Sequence, residues 1–336
     1  MRFVVMGYRH GHIGDVVTRV KDRKDAVLLA ACEEDAQTRQ QLIAAKATDR
    51  VFDSYARMLD EVECDVVAVG DYFAQRGAII IEALRRGRHV LSDKPICTSL
   101  GELDEIERLA RAKGLRVGCQ LDLRDGGQFR RLRRLVREGE IGAVHAVSFS
   151  GQHPLMYGRR AGWYFEEGKH GGTINDIAIH AFDAVPWITG LRFSVVNAAR
   201  NWNAAFTPVP HFRQAAQAML TMDNGCGVLG DVSYFAPDSF GYSLPQYWRI
   251  TLWGADGVAE TSAARPEVQL FKSGEKEPRV LPPDPPTPGG YLESFLRELT
   301  GRKDSELTTE DVFRASRVAL LAQDAADRGA TNVRVP

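Results

Sequence analysis

Over roughly the first 120 residues, short apolar runs alternate with longer segments of helical periodicity, and few folds accommodate that alternation. Residues 3–6, 27–32, 66–69, 89–91 and 117–119 read as strands, with 13–21, 36–45 and 78–86 as helices among them. The strand runs show almost no polar alternation, as expected of a parallel sheet covered by helices on both faces. Strand and helix repeated in this order predict a doubly wound α/β domain over residues 1–122.

Beyond residue 122 the pattern changes. An amphipathic helix at 127–138 leads into β-rich stretches at 144–150, 195–200, 218–222, 227–234, 247–253 and 268–272. Few helical segments interrupt them after Ile188, and turns such as Asp223-Asn224-Gly225 suit hairpins, so an antiparallel sheet in an α+β domain is predicted over 123–336. The proline-rich 278–288 reads as a loop, and helices at 291–299 and 309–328 close the chain, the last expected to pack back on the first domain. With 336 residues there is enough chain for two cores, and about three quarters of the unfolded surface is expected to be buried.

Charge excludes some partners. Lys plus Arg at 43 nearly cancels Asp plus Glu at 44, so no global field favours nucleic acid, and the basic runs at 85–88 and 130–134 read as solvated helix faces. Five cysteines, odd in number and without a Cys-x-x-Cys spacing, argue for reduced thiols rather than a disulfide frame. The first strand-like run is too short for a signal peptide, and no apolar run reaches the ~18 residues of a membrane span. A soluble, cytoplasmic protein without membrane or nucleic-acid partners is expected.

Two local features of the first domain point to a dinucleotide. Gly7-Tyr8-Arg9-His10-Gly11-His12-Ile13-Gly14 follows the first strand and opens a helix, where glycines let a pyrophosphate approach the backbone and helix amides attract it. Gly11 and Gly14 keep the spacing of the second and third glycines of Gly-x-Gly-x-x-Gly, but Gly7 lies two residues too far back. At the end of the second strand stand Glu33-Glu34-Asp35, where an acid is needed for the ribose hydroxyls; Glu33 is the expected acceptor, and three acids favour NAD over NADP. After the strand at 89–91 comes Ser92-Asp93-Lys94-Pro95, which puts Lys94 at the strand-end edge where ligands bind in such sheets.

In the second domain, Gly171-Gly172-Thr173 reads as the approach and cap of a helix carrying Asp176, His180 and Asp183 on one face. The helix is too apolar for a surface element, so the carboxylate and imidazole must pair with each other, with backbone or with a ligand. A satisfied structural pair is the plain alternative; a buried acid beside an imidazole is also how a proton-transfer site is built.

In order, the glycine turn, Asp93-Lys94-Pro95 and Gly171-Gly172-x3-Asp176-x3-His180-x2-Asp183 resemble the Gfo/Idh/MocA oxidoreductases, the family of glucose-fructose oxidoreductase and inositol dehydrogenase. The resemblance implies a Rossmann domain followed by an open-faced, mainly antiparallel sheet domain that serves as the interface of a homodimer or homotetramer. It implies that Lys94 touches nicotinamide and substrate, and that Asp176 and His180 form the substrate site. In the sequence, Asp93 stands for the family's Glu, Ala178 for a frequent Gly, and Gly70-Asp71-Tyr72-Phe73 for Thr-Pro-Asn, placing Asp71 and Tyr72 beside the cofactor. Arg124 and Trp163 are expected to line the substrate pocket. The implied reaction is hydride transfer between nicotinamide and a secondary hydroxyl of a sugar, sugar derivative or cyclitol. An NAD-dependent glycosidase and a non-catalytic ligand-binding relative are the alternatives. No metal site is expected, since Asp176, His180 and His170 lack a convincing spacing.

Overall fold

In a computed structural model, which describes residues 1–46 and 48–336, the chain forms two compact units. The first takes in Met1–Gln120, Ala161–Gly171 and Tyr291–Phe313; the second takes in Leu121–Arg160, Gly172–Gly290 and Arg314–Pro336. The first unit is therefore discontinuous in sequence.

The first 120 residues contain, in order, β1 (Arg2–Met6), α1 (Ile13–Lys21), β2 (Val27–Cys32), α2 (Ala36–Ala44), β3 (Val51–Phe52), α3 (Tyr55–Glu61), β4 (Val66–Val69), α4 (Phe73–Arg85), β5 (His89–Ser92), α5 (Leu100–Lys113) and β6 (Val117–Cys119). The six strands pair in parallel in the order β3-β2-β1-β4-β5-β6. Strand order reverses direction between β1 and β4, and in doubly wound sheets ligands bind at the crevice opened there by the strand ends. The loops after β1, β4 and β5 carry the glycine turn, Asp71 and Lys94. Neither β3 nor α3 was predicted, and α4 starts at Phe73 rather than residue 78. Asp35 and Ser54 cap α2 and α3 by accepting from Thr38 N and Arg57 N, and Ser99 caps α5 through Glu102 N.

The remaining elements are α6 (Gly127–Arg137), β7 (Val144–Pro154), α7 (Ile179–Thr189), β8 (Phe193–Trp202), β9 (Ala215–Met222), β10 (Gly227–Ala236), β11 (Arg249–Gly254), β12 (Gly257–Ser262), β13 (Arg265–Lys272), β14 (Arg279–Leu281), α8 (Gly290–Leu299), α9 (Thr309–Arg328) and β15 (Thr331–Arg334). Nine strands pair in the order β14-β13-β12-β11-β7-β10-β9-β8-β15. Neighbours are antiparallel except β7 and β10, which run parallel. The loop expected over 278–288 contains the edge strand β14, and β12 and β15 were not predicted. Helix α6 packs on α7, β12 and β13. Strand side chains alternate, and large apolar ones that point away from the core are left exposed: Met219, Leu229 and Trp253. Among the described residues no helix is long and apolar enough to cross a membrane.

Candidate active site

In the first unit, two glycines are dictated by packing. Gly7 has φ +85°, and a Cβ there would lie 2.6 Å from Asp71 N; a Cβ on Gly70 would meet Ile13. By contrast, a Cβ on Gly11 or Gly14 would meet no protein atom within 4 Å. Open space over the turn that leads into α1 leaves room for a pyrophosphate at a helix N-terminus, where Ile13 N, Gly14 N and Asp15 N bond the carbonyls of His10, Gly11 and His12.

Glu33 stands directly after β2, as expected, but its carboxylate is turned inward. It is 1% exposed, and its two oxygens accept from Tyr8 N at 2.7 Å and Asp35 N at 2.9 Å. Burial raises its pKa despite those bonds. Glu33 thus braces the glycine turn from below, and the carboxylate that faces outward beyond β2 is Glu34. Asp71 is likewise engaged internally, accepting from the Tyr55 hydroxyl and from Tyr72 N. Tyr72 is half-buried, with its ring 6.0 Å from the Arg9 guanidinium and 5.0 Å from Lys169 Nζ.

His10 explains the wide spacing between Gly7 and Gly11. Its imidazole turns inward, bonding Asp93 Oδ2 through Nδ1 and the Tyr164 hydroxyl through Nε2 at 2.8 Å. Burial lowers its pKa to about 4, outweighing the pull of Asp93, so the ring is neutral; Nδ1–H donates to the carboxylate and Nε2 accepts from the phenol. Asp93 is fully buried, which would raise its pKa, but Arg76 and His10 hold it well below the usual carboxylate range. Arg76 donates to Asp93 Oδ2 at 2.9 Å, Asp71 O at 2.8 Å, Lys94 O at 2.5 Å and Pro95 O at 3.1 Å. One buried guanidinium therefore fixes the turn that presents Lys94, whose Nζ stands 5.7 Å from the Phe73 ring.

Trp163, expected at the substrate pocket, is 2% exposed and its Nε1–H donates to Arg9 O at 2.8 Å. With Phe73 and Tyr164 it forms a buried aromatic cluster. Residues 161–171 thus grip the glycine turn at two consecutive positions, Arg9 and His10. No local signal in the sequence pairs them, because each partner is 154 residues away.

In the second unit, the run after Gly172 opens not as an α-helix but as a π-turn, Ile174–Ala178, continued by α7. Such wide turns are rare and are found often at functional sites. Thr173 is not the side-chain cap; its hydroxyl donates to Arg213 O. Gln323 of α9 accepts from Ile174 N at 3.0 Å, and it occupies the space a Cβ on Gly172 would need. Asp176 and His180 are both buried. Asp176 accepts from the Tyr234 hydroxyl, while His180 Nδ1 lies 3.6 Å from Asp122 Oδ1. The carboxylate facing His180 Nδ1 is thus Asp122, which the sequence reading passed over.

Asp183 and Arg124 belong to each other. Nε and Nη2 of Arg124 reach the two carboxylate oxygens at 2.8 and 2.5 Å, with both residues buried. Arg124, expected to line the substrate pocket, ties the short 122–125 helix to α7. An aromatic wall stands beside His180. The Trp248 ring centroid is 4.8 Å from the imidazole, and His153 packs within 5.2 to 5.6 Å of Tyr242, Tyr247 and Trp248. Trp248 has φ +51°, a costly conformation for a bulky residue that persists where surrounding structure enforces it. Gly151 leaves room for its indole, since a Cβ there would lie 2.7 Å from the ring.

Comparison with known proteins places both folded regions in one family. Residues 1–121 match the description "Oxidoreductase family, NAD-binding Rossmann fold", and residues 129–260 match the "GFO/IDH/MocA C-terminal domain". The chain is 25% identical to the Bacillus subtilis oxidoreductase YrbE over 80% of its length and 78% of that protein. It is 26% identical to an inositol 2-dehydrogenase of Corynebacterium glutamicum over 66% of its length and 59% of that protein. A solved structure from Thermotoga maritima superposes with a TM-score of 0.86 at 24% identity, over 99% of each chain.

Proposed function

Since the chain belongs to the Gfo/Idh/MocA oxidoreductases and carries their NAD-binding Rossmann fold, we propose that it moves a hydride between NAD and a secondary hydroxyl of a sugar, sugar derivative or cyclitol. The observation that carries this reading is the buried His180, faced by a carboxylate at Nδ1 and flanked by the Trp248 ring. Aromatic faces suit the C–H surfaces of a sugar or cyclitol ring, and inositol dehydrogenation is what one of the relatives is named for.

In the proposed reaction NAD, when bound, supplies the hydride acceptor. His180 takes the hydroxyl proton, with Asp122 favouring the tautomer that keeps hydrogen on Nδ1 and leaves Nε2 basic. Asp176 accepts from a neighbouring substrate hydroxyl. The Lys94 ammonium offsets the negative charge that develops on the reacting oxygen. Gly11 and Gly14 admit the pyrophosphate and Glu34 the ribose hydroxyls, while Gly7, Arg9, His10, His12, Ile13, Glu33, Asp71 and Tyr72 shape the loop around it.

A panel of polyols, aldoses and cyclitols offered with NAD or NADP tests this. NADH formation with at least one ring polyol is expected, with kcat/KM for NAD above that for NADP because Glu34 and Asp35 repel a 2′-phosphate. Flat NADH absorbance across the panel, or glycoside cleavage with catalytic NAD, sinks the dehydrogenase reading. Buried thiols such as Cys32, Cys64 and Cys226 fit a cytoplasmic setting.

The exposed sheet face is the proposed homo-oligomer interface. It carries a groove of about 750 Å³ lined by Met219, Leu229 and Trp253 among charged neighbours, and Leu229 is 59% exposed. Monomers rarely leave such patches uncovered. Sedimentation is expected to show a dimer or tetramer, and Leu229→Asp to shift it towards monomer; a monomeric wild type at micromolar concentration overturns the assignment.

A further inference from the structure

The loop that joins β1 to α1 holds an arrangement that dinucleotide binding does not require. His10, His12 and Asp93 each offer one ligand atom, and these atoms all lie within 4.8 Å of one another. Asp93 Oδ2 is taken by Arg76 and His10, but Oδ1 is buried and, among the described residues, has no well-aligned hydrogen bond, only the long approach of the His12 ring. A buried carboxylate oxygen left so is costly, and an absent water or ion is a standard reason for one. His12 Nδ1 lies 3.4 Å from that same oxygen. Two ligands at about 2.0–2.1 Å from a tetrahedral metal stand about 3.3–3.4 Å apart, so the His12–Asp93 spacing suits a shared cation, while His10 would have to draw back from its contact with Asp93 to join them.

We propose that His10, His12 and Asp93 bind a borderline divalent cation of the Zn²⁺ class. The set is two imidazoles and a carboxylate, with one coordination position left for water. Outer partners are already in place, since Arg76 holds Asp93 and the Tyr164 hydroxyl meets His10 Nε2. Protons balance without a co-reactant: when Nδ1 of His10 takes the metal, its hydrogen moves to Nε2 and is donated to the Tyr164 oxygen. His12, half-exposed, provides the entry path, and although it occupies the N-cap position of α1 its side chain makes no capping bond.

The test uses the whole chain, stripped with a chelator and titrated with Co²⁺ in the absence of substrate. One equivalent per chain is expected, with visible d–d bands of a low-coordinate site that Zn²⁺ abolishes. His12→Gln is expected to weaken binding by more than about tenfold, whereas the exposed His145→Gln leaves it unchanged. Melting temperature checks that His12→Gln is folded, and anomalous scattering from a Zn²⁺-soaked crystal locates the ion independently of any variant. Absence of the bands, equal affinity in His12→Gln and wild type, or an ion found away from these three side chains overturns the proposal. None of these readouts depends on the dehydrogenase reading, so either can fail alone.

Discussion

His180→Ala is expected to lower kcat by about 10² to 10⁴, the usual worth of a positioned general base. The expectation follows from the environment of the ring. It is buried, so bulk water cannot replace it readily, and Asp122 stands 3.6 Å from Nδ1 to favour one tautomer. If His180 acts in the chemical step, kcat and kcat/KM fall together, whereas a residue that only binds substrate raises KM alone. Asp122→Asn should reduce kcat less than His180→Ala and shift the pH profile, because it acts through the imidazole. Steady-state kinetics on the substrate found by the panel settles the matter. Turnover of His180→Ala within about tenfold of wild type removes His180 as the base.

The largest stability effect is expected at Asp183, not in the apolar core. Removing one partner of a buried, well-bonded ion pair leaves the other charge in a poor solvent, and such changes typically cost about 3–5 kcal/mol. Asp183→Ala removes the Nε and Nη2 bonds that Arg124 makes to it, and with them a tie between the 122–125 helix and α7. The double variant Arg124→Met with Asp183→Leu should recover part of the loss, since replacing both charges by apolar groups is often tolerated. Urea denaturation of wild type and both variants measures this. A midpoint for Asp183→Ala equal to wild type would show that the pair contributes nothing.

The parallel sheet was legible because its strands are unbroken apolar runs whose spacing survives without knowledge of partners. What escaped was short or locally weak. β3 is a two-residue strand, and β12, Gly-Val-Ala-Glu-Thr-Ser, has too little apolar alternation to stand out. β14 hides directly before the prolines of its loop. The partners of Glu33, Trp163 and Arg124 escaped for a different reason. Each stands near a motif, but its side-chain partner is distant in sequence: Tyr8 N for Glu33, Arg9 O for Trp163 and Asp183 for Arg124. The π-turn had no signal either, since Ile174–Ala178 has the composition of an ordinary buried helix.

Trp163 and Tyr164 carry a consequence for how such a chain evolves and is engineered. The shape of the nucleotide loop is written partly in a segment that follows a strand of the other unit. Recombining the N-terminal 120 residues with the remainder of a distant relative would strip that loop of its two clasps unless the 161–171 segment travelled with it. The folding unit that carries the glycine turn is therefore a patchwork along the gene, and cutting at the apparent seam would sever it.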